Sequence, residues 1–145
     1  TITSSPNSFN FLRRNYCMEP ELFYLVLSVG LCGILWVPTV IERVIRIGLT
    51  ETVGNNPDTK DLPGWVERLK RTHRNLVDNI VIFGTLVLIL QSIEKSNDTT
   101  GLAALIFFYA RLIQTISHIF GIVWVRTVSF VIGWLATAVI FLVLI

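Results

Sequence analysis

Arg68, Arg71, Asn75 and Asp78 recur at spacings of three and four residues in a stretch that runs straight into an apolar segment. On a helix turning about 100° per residue these four side chains fall within an arc of about 80°, with Arg74 at its border and His73 pointing elsewhere. Arg111, Gln114, Thr115 and His118 make a second stripe of the same kind, and Arg126, Ser129, Phe130 and Gly133 a third. A charge inside a membrane-crossing helix costs about 3 kcal/mol on insertion scales and is normally turned toward a partner or water. Each of these residues is therefore a candidate for function. A purely structural reading stands beside that one, with Arg111 and Asp78 as an interhelical ion pair and Asn75 as hydrogen-bond glue. The charge balance favours a ligand, because Arg68, Arg71, Arg111 and Arg126 are set against a single carboxylate, Asp78. Guanidinium is a planar fork that grips carboxylates bidentately. One acid among several arginines suggests a zwitterionic anion, with several carboxylates and one ammonium.

Other chemistries find little support. Cys17 and Cys32 are too few for a disulfide framework or a metal cage, and Cys32 lies in an apolar run where a small hydrophobe is the plain reading. His73 and His118 come without clustered cysteines or carboxylates, so no metal is expected, and no glycine-rich phosphate loop is present. The net charge of +2 is too small to argue for nucleic acid.

The elements that must hold these stripes follow from composition. The 145 residues are 52% hydrophobic and only 15% charged, with a mean hydropathy of +0.65, against about 25% charged in ordinary soluble domains. Leu22 to Ile41 is charge-free for twenty residues, the length a helix needs to cross about 30 Å of hydrocarbon. A helical pattern opening at Trp65 runs into the apolar stretch Asn79 to Ile93. Gly101 to Val125 is apolar apart from the second stripe, and Thr127 to Ile145 carries no charge. The expectation is an all-α membrane protein, a bundle of four transmembrane helices spanning about 22–47, 65–93, 100–122 and 125–145 within a domain of 18–145. Residues 1–17, polar and bearing Arg13 and Arg14, read as a disordered or non-native extension, with a secretory signal as the rival reading. The sequon at Asn97 sits too close to the bilayer to be expected to carry a glycan.

Basic residues set the orientation. Arg43, Arg46, Lys60, Arg68, Lys70, Arg71 and Arg74 lie in or beside the first connection, whereas the second has Lys95 alone. The positive-inside rule places the first and third connections in the cytosol and both termini on the far side. Arg126 then shares a surface with Arg68 and Arg71.

The run Glu67-Arg68-Leu69-Lys70-Arg71-Thr72-His73-Arg74-Asn75-Leu76-Val77-Asp78 resembles the second-helix signature of the MAPEG superfamily, the membrane-associated proteins in eicosanoid and glutathione metabolism. Arg111 to His118, Gly121 and Arg126 are similar to that family's third and fourth helices. The resemblance covers about Met18 to Ile145. It implies a homotrimer of four-helix subunits, in the bacterial inner membrane or endoplasmic reticulum, binding glutathione between subunits near the cytosolic side. It further implies that Arg71, Asn75 and Asp78 hold the tripeptide, with Arg68, Arg74, Arg111 and Gln114 in the same site. Arg126 lies by the sulfur, Thr127 or Ser129 adds a hydroxyl, and His118 donates a hydrogen bond where relatives have Tyr. Asp78 replaces a Glu and Phe130 replaces the Tyr of the prostaglandin E synthase branch. The implied activity is glutathione transfer, or glutathione-dependent peroxide reduction, on lipophilic electrophiles. A non-catalytic lipid-binding member is the alternative, and a small four-helix transporter a more distant one.

Overall fold

The computed structural model describes residues 18–54 and 63–145. Residues 1–17, with Arg13, Arg14 and Cys17, lie outside the described residues, as does Lys60 of the first connection. Four long helices, α1 (Pro20–Ile47), α3 (Gly64–Ser92), α4 (Asp98–Phe120) and α5 (Val123–Leu144), are joined by a short one, α2 (Leu49–Val53), and the described residues contain no strand. The shortest long helix has 22 residues, about 33 Å at 1.5 Å per residue, so each reaches across a bilayer core. α2 was not anticipated from a segment that reads only as polar.

Local chemistry sets the helix ends. Pro20 opens α1, where its missing N–H costs nothing, and Gly48 closes it at φ 86°. Pro38 lies inside α1, a break that membrane helices tolerate because neighbouring groups satisfy the freed carbonyl. α4 starts in a reciprocal capping box, in which Thr100 N–H donates to Asn97 Oδ1 at 3.0 Å and Asn97 N–H to Thr100 Oγ1 at 2.9 Å. The amide of the sequon is thereby committed to the helix. Gly121 ends α4 in the left-handed region at φ 76°, and Ile122 N–H reaches back to Ser117 O at 2.8 Å, so α5 begins after a two-residue link.

The helices run up and down. The end of α1, the start of α3, the end of α4 and the start of α5 share one end of the bundle. α4 packs most extensively on α5, and α1 touches α3 and α4 but not α5. One half of the interior is an apolar cluster centred on Phe83 and Phe107, whose rings stack with centroids 3.8 Å apart. The other half holds Leu35, Leu69 and Leu76. Many large apolar side chains face outward, Trp124 at 83% exposure among them. That is the pattern of a chain solvated by lipid rather than water.

Gly84 lets α1 and α3 approach, since a Cβ there would stand 3.2 Å from Leu25 Cδ1. Gly84→Ala is expected to be nearly neutral. The helix-propensity gain of about 1 kcal/mol offsets a small shift of Leu25. Gly84→Leu is expected to destabilise by about 2 kcal/mol, because the added branches have nowhere to go. Apparent Tm in one detergent, compared across the three proteins, checks both.

Candidate functional site

Three helices meet around His118 in the last turn of α4. Its Nδ1 lies 2.8 Å from Thr72 Oγ1 of α3, and the Thr72 hydroxyl also contacts Arg68 O at 2.8 Å. A hydroxyl has one hydrogen, so both contacts are satisfied when Thr72 donates to the carbonyl and His118 Nδ1–H donates to Thr72. The neutral ring then presents Nε2 as an acceptor, and donation from Nε2 requires the imidazolium. The charges of Arg126, Arg71 and Arg68 all act on this histidine. Arg126 sits in the first turns of α5, beyond the two-residue link, so the ends of α3, α4 and α5 present their cations to one place. The N-termini of α3 and α5 lie at this end together with the C-termini of α1 and α4, so the helix dipoles largely offset one another and the arginines supply the positive potential. The site can therefore hold an anion.

Arg68, Arg71, Arg74 and Asp78 are exposed, while Asn75 and Arg126 are half-buried. Asp78, the single carboxylate set against these arginines, is exposed and forms no ion pair among the described residues. The reason is helical phase. The buried face of α3 carries Val66, Leu69, Thr72, Leu76 and Phe83, and the charged stripe lies about 150° away from it at 100° per residue. On α5, Thr127 is exposed and its hydroxyl donates to Val123 O at 3.0 Å, whereas Ser129 is buried.

Arg111 does something different from its fellow arginines. It is buried, at 1% exposure, and donates from Nη1 to Gln114 Oε1 and from Nη2 to Asn79 Oδ1, each at 2.7 Å. Its guanidinium carbon lies 5.1 Å from the ring centroids of both Phe107 and Phe130. Gly133 makes room for it, because a Cβ there would stand 3.0 Å from Arg111 Cζ. The ion pair with Asp78 entertained from the sequence is not formed, and Asn79 takes the place of the acid. Gln114 in turn donates to Asn75 Oδ1 at 3.0 Å, and Asn79 Nδ2 reaches Asn75 O at 2.7 Å. Arg111 and Gln114 are thus held within the fold, and they fix Asn75 with its carbonyl inward and its amide N–H groups left to donate.

The sequence reading missed Asn79, Thr72 and Phe107. The signal for Asn79 was present, four residues beyond Asn75 and on the same face. Thr72 and Phe107 have no such signal, since a threonine or phenylalanine on the inner face of a membrane helix is ordinary. Among the described residues no group of three His, Cys, Asp or Glu is placed to hold a metal.

Four helices long and apolar enough to cross a membrane, with arginines from separate helices gathered at one end, define an integral multi-pass membrane protein of the all-α class. The chain belongs to the MAPEG family, whose family model matches residues 22–145. Its setting is thus membrane-associated glutathione and eicosanoid metabolism, in a family that includes glutathione transferases and non-catalytic members. A search of curated proteins returns no match.

Proposed function

We propose that this protein is a membrane-bound glutathione transferase, or a glutathione-dependent peroxidase, acting on lipophilic electrophiles. The observation that supports this best is that Arg68 and Arg71 of α3 and Arg126 of α5 share with His118 one end of a MAPEG chain. Glutathione supplies a thiol, two carboxylates and one ammonium. Arg68, Arg71 and Arg74 suit the carboxylates, Asp78 the ammonium, and the Asn75 amide a peptide carbonyl. A free thiol has a pKa of about 8.5 and attacks electrophiles well only as thiolate. Arg126 favours the anion, and the thiol proton leaves to water. In the transferase reaction the sulfur bonds to the electrophilic carbon and the leaving group departs with the carbon–halogen electron pair.

The assembly we propose is the homotrimer typical of the family. The stripe of Arg68, Arg71, Arg74 and Asp78 faces away from its own protomer, and a neighbouring copy laid against it encloses a site between subunits. The first and third connections are placed in the cytosol by their basic residues.

Calorimetric titration of the detergent-solubilised protein with glutathione tests this reading. Saturable binding is expected. Asp78→Asn is expected to weaken it about tenfold, the worth of one charge-assisted hydrogen bond. A protein that takes up no glutathione excludes the proposal.

A further inference from the structure

At the opposite end of the bundle, about 30 Å from His118 along α4, the starts of α1 and α4 line an open cavity of about 470 Å³. Its wall includes Glu21, which is 1% exposed. One carboxylate oxygen, Oε1, contacts Thr100 Oγ1, whose single hydrogen it shares with Asn97 O at 2.8 Å. The other, Oε2, is buried without a hydrogen-bond partner. An unpartnered buried carboxylate oxygen is costly, and among the described residues no lysine or arginine lines this cavity to relieve it. Lys95, the cation of the adjoining turn, is directed to Leu144 O at 3.4 Å.

The rest of the wall narrows the ligand. Glu19 and Asp98 stand exposed at the rim and add negative potential, which favours a cationic group at the mouth. Tyr24 is also part of the wall, and an aromatic ring attracts a cation. Leu102 and Leu105 continue the wall along α4 into the membrane-facing surface. Glu21 Oε2 requires an N–H donor, which a quaternary ammonium lacks. The cavity is far larger than a bare ion, and no metal-ligand cluster is formed among the described residues.

The geometry points to a binding site for a primary-amine amphiphile, its ammonium on Glu21 Oε2 and its chain along Leu102 and Leu105. The source is either a free alkylamine or the headgroup of an aminophospholipid. This site is separate from the arginine end and does not rest on the glutathione reading.

Thermal unfolding of the purified full chain in detergent, with octylamine or octyltrimethylammonium added, tests it. Octylamine is expected to raise the apparent Tm saturably by several degrees, as any ligand of the folded state does, and the trimethyl analogue is expected to do nothing. Glu21→Gln is expected to abolish the increment. If that variant does not fold, the rim variant Glu19→Gln/Asp98→Asn, altered only at exposed positions, is expected to weaken octylamine several-fold. Reconstitution in phosphatidylethanolamine instead of phosphatidylcholine discs distinguishes the sources. Competition with octylamine identifies the headgroup, and undiminished octylamine binding identifies the free amine. Equal responses to both probes, an unchanged increment in Glu21→Gln, or an unchanged affinity in the rim variant overturns the proposal. So does a Glu21→Gln chain that changes oligomeric state while octylamine has no effect on the parent, which would give the carboxylate to a second copy.

Discussion

Arg126→Ala is expected to lower kcat/KM for conjugation of a chromogenic aryl halide by about 10² to 10³, the usual cost of deleting one preorganised group that stabilises reacting charge. Glutathione affinity is expected to fall much less. In the proposed function the tripeptide backbone is assigned to Arg68, Arg71, Asn75 and Asp78 and the sulfur to Arg126, where charge matters most as the thiolate forms. A loss concentrated in kcat, with the binding constant from calorimetry largely preserved, is the signature of an interaction that favours the reactive form over the ground state. Arg126→Lys keeps a cation but not the planar fork, and is expected to recover part of the rate. The pH profile gives an independent readout. Without Arg126 the rate is expected to climb with pH toward the free-thiol value of about 8.5, whereas the parent reaches its plateau at lower pH. Equal conjugation rates in the parent and Arg126→Ala would remove Arg126 from the chemistry.

The second large effect concerns the interior. Asn79→Leu is expected to destabilise the protein by about 3 kcal/mol, because it strips the acceptor from Arg111 Nη2 and leaves a buried guanidinium N–H bare. At about 3 °C per kcal/mol for a chain of this size, apparent Tm is expected to drop by about 10 °C. Adding Arg111→Met to that variant is expected to recover most of the loss. An apolar side chain fits between Phe107 and Phe130, and the charge that needed an acceptor is gone. The order matters: taking away the acceptor is worse than taking away both partners. Thermal unfolding of the single and double variants in one detergent measures it. A double variant less stable than Asn79→Leu would show that the cation contributes something beyond its two hydrogen bonds.

The four long helices were legible because their signal is coarse. Three runs of fifteen to twenty uncharged residues, and a fourth apolar stretch broken only by Arg111, allow no other element in lipid, and the second-helix motif carried the family. What was misread depends on phase between helices. Arg68, Arg71 and Asp78 were grouped correctly on one face, yet which face packs inward is decided by where Leu69, Thr72, Leu76 and Phe83 fall, and those residues place the charges outside. Arg111 was grouped with the other arginines by type, but its environment sets it apart. It lies nine residues from the end of α4, deep enough that aromatic rings and amides surround it. Glu21 escaped notice because it stands one position before the apolar run begins, where an acid looks like part of a solvated flank.

The link at Gly121 and Ile122 has a bearing on how such a chain can be rebuilt. With Gly121 in the left-handed region and Ile122 N–H tied to Ser117 O, the azimuth of the last helix is inherited from the one before it, whatever surrounds the protein. A chimera that exchanges residues 123–145 for a foreign hydrophobic segment, while keeping this link and an arginine at position 126, should carry that guanidinium on the same compass heading. One extra residue placed after Ile122 would swing it about 100° off course.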